Sequence, residues 1–377
     1  MHGGEMSIGS RIAEARRARG MTQSDLAEVI AKDASAVSRL ERGERRVSSY
    51  ELGLIADELG VSMNRILGIE SAPTSMALAA RVQEAVTSDE AKTALADVRY
   101  MLDVEAILDQ IGIEDVERRS VALVVEDQDP VEAGRRMAAE ARRHAQLGDG
   151  PLGPDLEGII ENHFGVDVML LALPERFLGT CVLAGERAVI AARESDRYGR
   201  RRFTLAHELG HHLFGDPDEI FIEDRQRMFN SDDLGEKRAN AFAANFLAPA
   251  EWLARHVSGR QIDASVALEV SLEAGMSYLS TVYHLHNSGL LKGWEQRDAL
   301  LDENPSRVAY QMGRFQDWDR AQRGFGEKRG AGLVAKRALR AYRAGAIGVR
   351  PLADVMLKDD PEQLRSALDA QNLGPAL

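Results

Sequence analysis

Residues 207–211 read His-Glu-Leu-Gly-His, and these residue types at this spacing can build a hydrolytic metal centre. Side chains four apart on a helix share a face, one turn above each other. His207 and His211 would therefore bring two imidazole nitrogens to one tetrahedral ion. Glu208 lies between them, close enough to act on a water at that ion without being a ligand itself. This is the arrangement of a zinc-dependent hydrolase, usually a metalloprotease, with Glu208 as general base. A catalytic zinc takes three protein ligands and keeps one position open, so a third ligand must come from elsewhere in the chain.

The flanks of the motif read as the helix that must carry it. Phe203, Ala206, Gly210 and Leu213 fall at helical spacing and could form an apolar face that holds the ligand face toward a cleft. Gly210 costs about 1 kcal/mol in a helix interior relative to alanine, which implies close approach of another backbone. Gly215, with Pro217 two residues on, ends the helix. Downstream acids are Glu219, Glu223, Asp224, Asp232, Asp233 and Glu236. Glu236 is the best third ligand, because it opens a strong helical run, residues 236–247, that stops before Pro249. Asn240 is four residues later on the same face, so its amide oxygen can accept from the free ring N–H of a ligand histidine. Glu219 and Glu223 are the alternative ligands.

The stretch R-R-F-T-L-A-H-E-L-G-H-H-L-F, followed by E-K-R-A-N-A-F-A-A-N-F-L-A-P, resembles the ImmA/IrrE family of bacterial metallopeptidases over roughly residues 130–291. The resemblance implies a zincin-like fold in which His207, His211 and Glu236 bind the metal and Glu208 is the base. It also implies a role in derepression, through cleavage of helix-turn-helix repressors of prophages, mobile elements or stress regulons. The family often has methionine before the proline, where this chain has Ala248.

Residues 7–68 carry a second signal. Thr22 is placed to cap a short helix, with Asp25 in a capping-box role, and Asp33 is placed to cap the next. Ala27, Ile30, Val37 and Leu40 would lock two short helices across a tight turn, a helix-turn-helix whose second helix enters the major groove. The segment resembles the XRE (Cro-type) family. The turn departs from that pattern, with Ala31 where the family favours glycine and Lys32 where it favours an apolar residue. Ala34, Ser35, Ser38 and Arg39 would face base edges, and Gln23, Arg42, Arg45 and Arg46 would reach phosphates.

Length and composition suit several modules. The 377 residues suffice for two to three domains, and a hydrophobic content of 44% supports packed cores. A net charge of −13 confines nucleic-acid affinity to the arginine patch. Cys181 is the only cysteine, which excludes a disulfide framework and a multi-thiolate zinc site. The start of the chain lacks a basic region and apolar run, and no stretch has the length of a membrane span, so a cytoplasmic protein with no membrane partner is expected.

The expected fold is multidomain and mainly α. An all-α helix-turn-helix domain takes residues 7–70 and a helical linker, able to dimerise or simply to pack, takes 71–129. An α+β metallopeptidase domain with a small, mostly antiparallel sheet takes 130–291, and a helical C-terminal extension takes 292–377. Within the peptidase domain, a helix is expected at 156–164 and strands at 166–173, 180–184 and 188–192. Arg200, Arg201 and Arg202 could favour acidic substrate segments, and Tyr278, Tyr283, His284 and His286 either pack or stabilise an oxyanion. Residues 305–332, with Gly324, Gly326, Gly330 and Gly332 near their end, read as a loop.

Two functions of different class follow. One is a DNA-bound zinc endopeptidase (manganese is also possible) that cuts a regulatory protein, a helix-turn-helix repressor or antitoxin, with the chain acting as a homodimer on a double-stranded operator. The other is a transcription factor whose peptidase fold senses a ligand or metal and cleaves little. A component of a toxin–antitoxin system is a third reading.

Overall fold

A computed structural model of the chain describes residues 7–45, 47, 49–59, 61, 66, 89–116, 123–125, 127–174, 179–184, 187–194, 196–216, 233–323 and 327–375. It divides into two compact units. One comprises Met1–Ala80, Arg99–Asp115 and Val334–Leu377, and the other Arg81–Val98 and Val116–Leu333.

The first unit opens with helices α1 (Ile8–Ala18), α2 (Gln23–Val29), α3 (Ala34–Glu41) and α4 (Ser49–Leu59). Short helices depend on satisfied ends. Thr22 and Asp25 close a reciprocal capping box at the start of α2, with bonds of 3.2 and 2.7 Å. Asp33 accepts from the Ala36 N–H at 2.7 Å and so starts α3. Ile12, Leu26, Ala27, Ile30, Val37, Leu40 and Ile55 meet in one core. Arg16 and Glu41 pair at 2.6 Å beside it and tie α1 to the end of α3. The unusual turn keeps its geometry: Ala31 adopts φ +50°, a left-handed conformation that costs an L-residue about 1–2 kcal/mol.

Helix α5 (Asp89–Gln110) follows, and Met101, Leu102, Val104 and Leu108 are buried along it. Residues 71–88 of the expected helical linker lie outside the described residues.

The second unit holds α6 (Pro130–His144), α7 (Leu156–Phe164), β1 (Asp167–Leu171), β2 (Gly179–Ala184), β3 (Arg187–Arg193), α8 (Tyr198–Phe214) and α9 (Leu234–Leu247). Helices α10 (Ala250–His256), α11 (Ala264–Ala274), α12 (Tyr278–Asn287), α13 (Trp294–Leu301), α14 (Pro305–Gln311) and α15 (Phe315–Gln322) complete it. The sheet order is β1-β3-β2. Strand β3 pairs antiparallel with β2 (Ile190 opposite Cys181) and parallel with β1 (Ile190 opposite Val168), so the sheet is mixed where mostly antiparallel pairing was expected. The cause is connectivity: β2 returns past the position of β3, and β3 then folds back between its neighbours. Leu205, Ala206 and Leu209 of α8 share a core with Val168, Ile190 and Ala192 of the sheet and with Phe242 and Phe246 of α9.

Residues 305–332 are not one loop. Asn304 caps α14, Pro305 occupies its first turn, and Phe315 stacks on Tyr310 at 3.9 Å. Among the described residues beyond, Arg329 bridges Leu170 through paired backbone bonds of 2.8 and 3.0 Å. Its guanidinium meets both oxygens of buried Glu161, at 2.7 and 2.6 Å. The outer edge of β1 is therefore occupied by the chain itself.

The tail forms α16 (Gly332–Arg343), α17 (Val349–Val355) and α18 (Pro361–Ala370). From Val334 onward it belongs to the first unit. There buried Arg337 donates to the Ile113 carbonyl at 3.2 Å, and the Tyr100 hydroxyl donates to Asp354 at 3.0 Å. This part of α5 is thus covered by the tail of its own chain.

Candidate metal centre and nucleic-acid face

Helix α8 is buried along nearly its whole length, so the motif is presented by a rigid element. His207, Glu208 and His211 are buried on it. Helix α9 crosses at Gly210, where an added Cβ would lie 2.9 Å from the Phe242 ring and 3.4 Å from the Ala239 Cα. The close approach expected at Gly210 is therefore made first by an aromatic ring and then by backbone. It brings Glu236 and Asn240 of α9 over the two histidines.

The donor atoms of His207, His211 and Glu236 all lie within 4.8 Å of one another. The two Nε2 atoms are 2.9 Å apart, and each is 3.5 Å from a Glu236 carboxylate oxygen. His207 donates its Nδ1–H to Asn240 Oδ1 at 3.1 Å, and His211 donates its Nδ1–H to Asp216 Oδ2 at 2.7 Å. With both Nδ1 atoms holding the proton, both Nε2 atoms turn lone pairs toward the same point as the carboxylate. Two lone pairs and an anion facing one point in a buried site call for a cation there. The set is nitrogen and oxygen only, which suits zinc and also fits manganese.

Glu208 lies beside the start of β2. A Cβ added to Gly179 would stand 3.2 Å from Glu208 Oε1 and 2.5 Å from the Thr204 methyl, so only glycine lets the strand pass this close. The partner of His211, Asp216, was not anticipated. The available signal was an acid directly after the helix-ending Gly215, which has φ +65°. The alternative ligands Glu219 and Glu223 lie outside the described residues, as do Asp224 and Asp232.

Arg201 and Arg202 do not offer charge to a substrate. Both are buried, and Arg202 donates to the Gly153 and Leu152 carbonyls at 2.6 and 2.9 Å. Arg200 is half-buried, 3.8 Å from Asp196. Arg202 thus fastens α8 to the segment before α7, while Arg201 lies 3.7 Å from Glu157 of α7 itself. Tyr278 and His284 pack: the Tyr278 hydroxyl donates to the Leu300 carbonyl at 3.1 Å and His284 Nε2 to the Ala248 carbonyl at 2.7 Å.

Burial pushes His284 down to about 4, from 6.5 in the exposed state. Between those values the unfolded chain takes up a proton that the fold does not. Stability is therefore complete above pH 6.5 and falls as pH drops toward 4, by on the order of 2 kcal/mol at pH 4.5. His284→Gln should remove that part of the acid sensitivity. Urea unfolding at pH 7 and 4.5 checks it, and an equal loss in both proteins would contradict it.

On the helix-turn-helix, Ser35 and Arg39 are exposed and Ala34 and Ser38 half-exposed, all on α3. Ser35 donates to Asp33 at 2.6 Å, and Ser38 accepts from Arg42 at 3.2 Å. Arg42 also pairs with Glu44 at 3.0 Å on the surface, a weak contact that a phosphate can displace. Gln23 donates to Glu41 at 2.7 Å, and Arg45 pairs with buried Glu51. To reach a phosphate, those two must share or leave a carboxylate. Arg46 lies outside the described residues.

A family model of the IrrE N-terminal-like domain matches residues 162–286, and one of a helix-turn-helix matches residues 12–66. The first span contains α8 and α9 with all three donors, and the second contains α2 and α3. No curated protein matches the chain. Among the described residues, no helix is long and apolar enough to cross a membrane.

Proposed function

From a chain that joins an XRE-type helix-turn-helix domain to an IrrE N-terminal-like peptidase domain, we propose a DNA-bound regulator that cuts another regulatory protein in a zinc-dependent reaction. The observation that carries this reading is the convergence of His207 Nε2, His211 Nε2 and the Glu236 carboxylate beside Glu208. His207, His211 and Glu236 hold the ion, zinc or manganese in its place, and Asn240 keeps the His207 ring in the ligating tautomer. When bound, the ion makes water acidic enough to ionise near neutral pH and polarises a peptide carbonyl.

Glu208 takes the proton of the attacking water and later delivers it to the leaving amine. Its buried position excludes bulk water from that proton. Strand β2 pairs with β3 on one side only among the described residues, and the outer edge of β1 is taken by Arg329. An extended peptide adds to β2 along the edge away from β3, and Gly179 of β2 passes beside Glu208. The intact donor set and base favour catalysis over a sensor that cleaves nothing.

The substrate is a helix-turn-helix repressor or antitoxin, cut in a stress or mobile-element response in the cytoplasm. Two copies of the chain read a two-fold operator, with Arg39 at a base edge. Arg39→Ala should cost roughly 1–3 kcal/mol of specific binding and relax one operator position, with non-specific binding little changed. Gel shifts over a salt series check it; a uniform loss on all sequences would make Arg39 a phosphate contact. The proposal as a whole is tested by incubating the zinc-loaded full chain with helix-turn-helix proteins encoded beside its gene. New peptide termini by mass spectrometry, absent with chelator, are expected. Intact partners under all metal conditions, with operator binding that responds to zinc, would favour the sensor reading instead.

A further inference from the structure

We infer that Asp216 and Arg238 form a two-residue hold on His211 that sets how tightly the second unit keeps its metal. This rests on the reading of His207, His211 and Glu236 as ligands. The two histidines are held differently. His207 gives its Nδ1–H to a neutral amide oxygen at 3.1 Å, whereas His211 gives its Nδ1–H to a carboxylate at 2.7 Å. A carboxylate acceptor draws harder on the ring proton and makes the opposite nitrogen the stronger donor.

Asp216 is placed for this by the end of α8. Gly215 takes a left-handed conformation, and the Asp216 N–H then bonds the His211 carbonyl at 3.1 Å. One Asp216 oxygen faces the His211 ring and the other pairs with the Arg238 guanidinium. Arg238 stands on α9, between Glu236 and Asn240 in sequence. Its guanidinium carbon lies 4.7 Å from the Phe214 ring centroid, which fixes it over the last turn of α8. The helix that supplies Glu236 and Asn240 thus also grips the carboxylate that turns His211. Arg238 acts through Asp216, so both are positioning residues.

The test measures zinc affinity of the full chain by competition with a chromophoric chelator, together with the melting temperature of the metal-free protein. Asp216→Asn is isosteric and should weaken zinc about 10–100-fold while metal-free melting hardly moves. Arg238→Met keeps the stem over Phe214 and removes the guanidinium. It should weaken zinc by a smaller factor alone and add nothing in the Asp216→Asn background. Should Asp216→Asn fail to fold, a loss of zinc affinity in Arg238→Met at unchanged metal-free melting still supports the hold.

Unchanged affinity in Asp216→Asn would overturn the inference. So would an equal loss from Arg238→Met in both backgrounds, or tighter zinc in Arg238→Met, which would make charge repulsion the larger effect. A wild-type chain that takes no zinc would instead remove the ligand reading, and the hold with it.

Discussion

Glu208→Gln will keep the metal and lose cleavage, by about 10²–10⁴-fold or more in rate. The side chain is buried on α8 between the two histidines, and Gln has the same shape, so its place beside Gly179 is preserved. What changes is proton affinity: an amide can hydrogen-bond the attacking water but cannot take its proton. Single-turnover cleavage with equal metal content in both proteins isolates that step. Cleavage at the wild-type rate would mean that another group is the base.

Glu236→Ala should strip the metal. The mutation removes the carboxylate that faces the two Nε2 atoms, at 3.5 Å from each, and leaves two neutral imidazoles. Removing one partner from a buried charged set costs about 3–5 kcal/mol, which corresponds to about 10²–10⁴-fold in affinity. The motif helix should remain folded, since Leu205, Ala206 and Leu209 hold it to the sheet independently of the ion. Metal analysis after dialysis gives the answer. Full occupancy would show that the acid lies elsewhere, and Glu219 and Glu223 would be tried next.

The parts legible in the sequence were those fixed by short-range rules. The i, i+4 spacing put His207 and His211 on one face, and the same spacing put Glu236 in line with Asn240. Thr22, Asp25 and Asp33 announced their caps because a cap needs only a side-chain oxygen beside its own helix. What escaped depends on partners distant in the chain. Arg202 reads as an exposed start-of-helix charge until the Leu152 and Gly153 carbonyls arrive fifty residues from upstream. The glycines after Arg323 suggested a loop, but Arg329 found Glu161 and Leu170 on an earlier helix and strand. The parallel pairing of β1 with β3 is likewise a matter of strand order, which alternation within each strand cannot specify. Asp216 sits five residues from His211, yet its role depends on the left-handed turn at Gly215 and on Arg238 across the site.

X-ray absorption at the metal edge, with elemental analysis of the same sample, reads the nitrogen–oxygen metal site on α8 and α9 itself. About one zinc or manganese ion per chain is expected, bound by two imidazoles and one carboxylate with a position left for water. Loss of the imidazole scattering in His207→Ala would assign it to this site. A chain that binds no ion, or one whose ion is held by the Cys181 thiolate, would rule out this metal site.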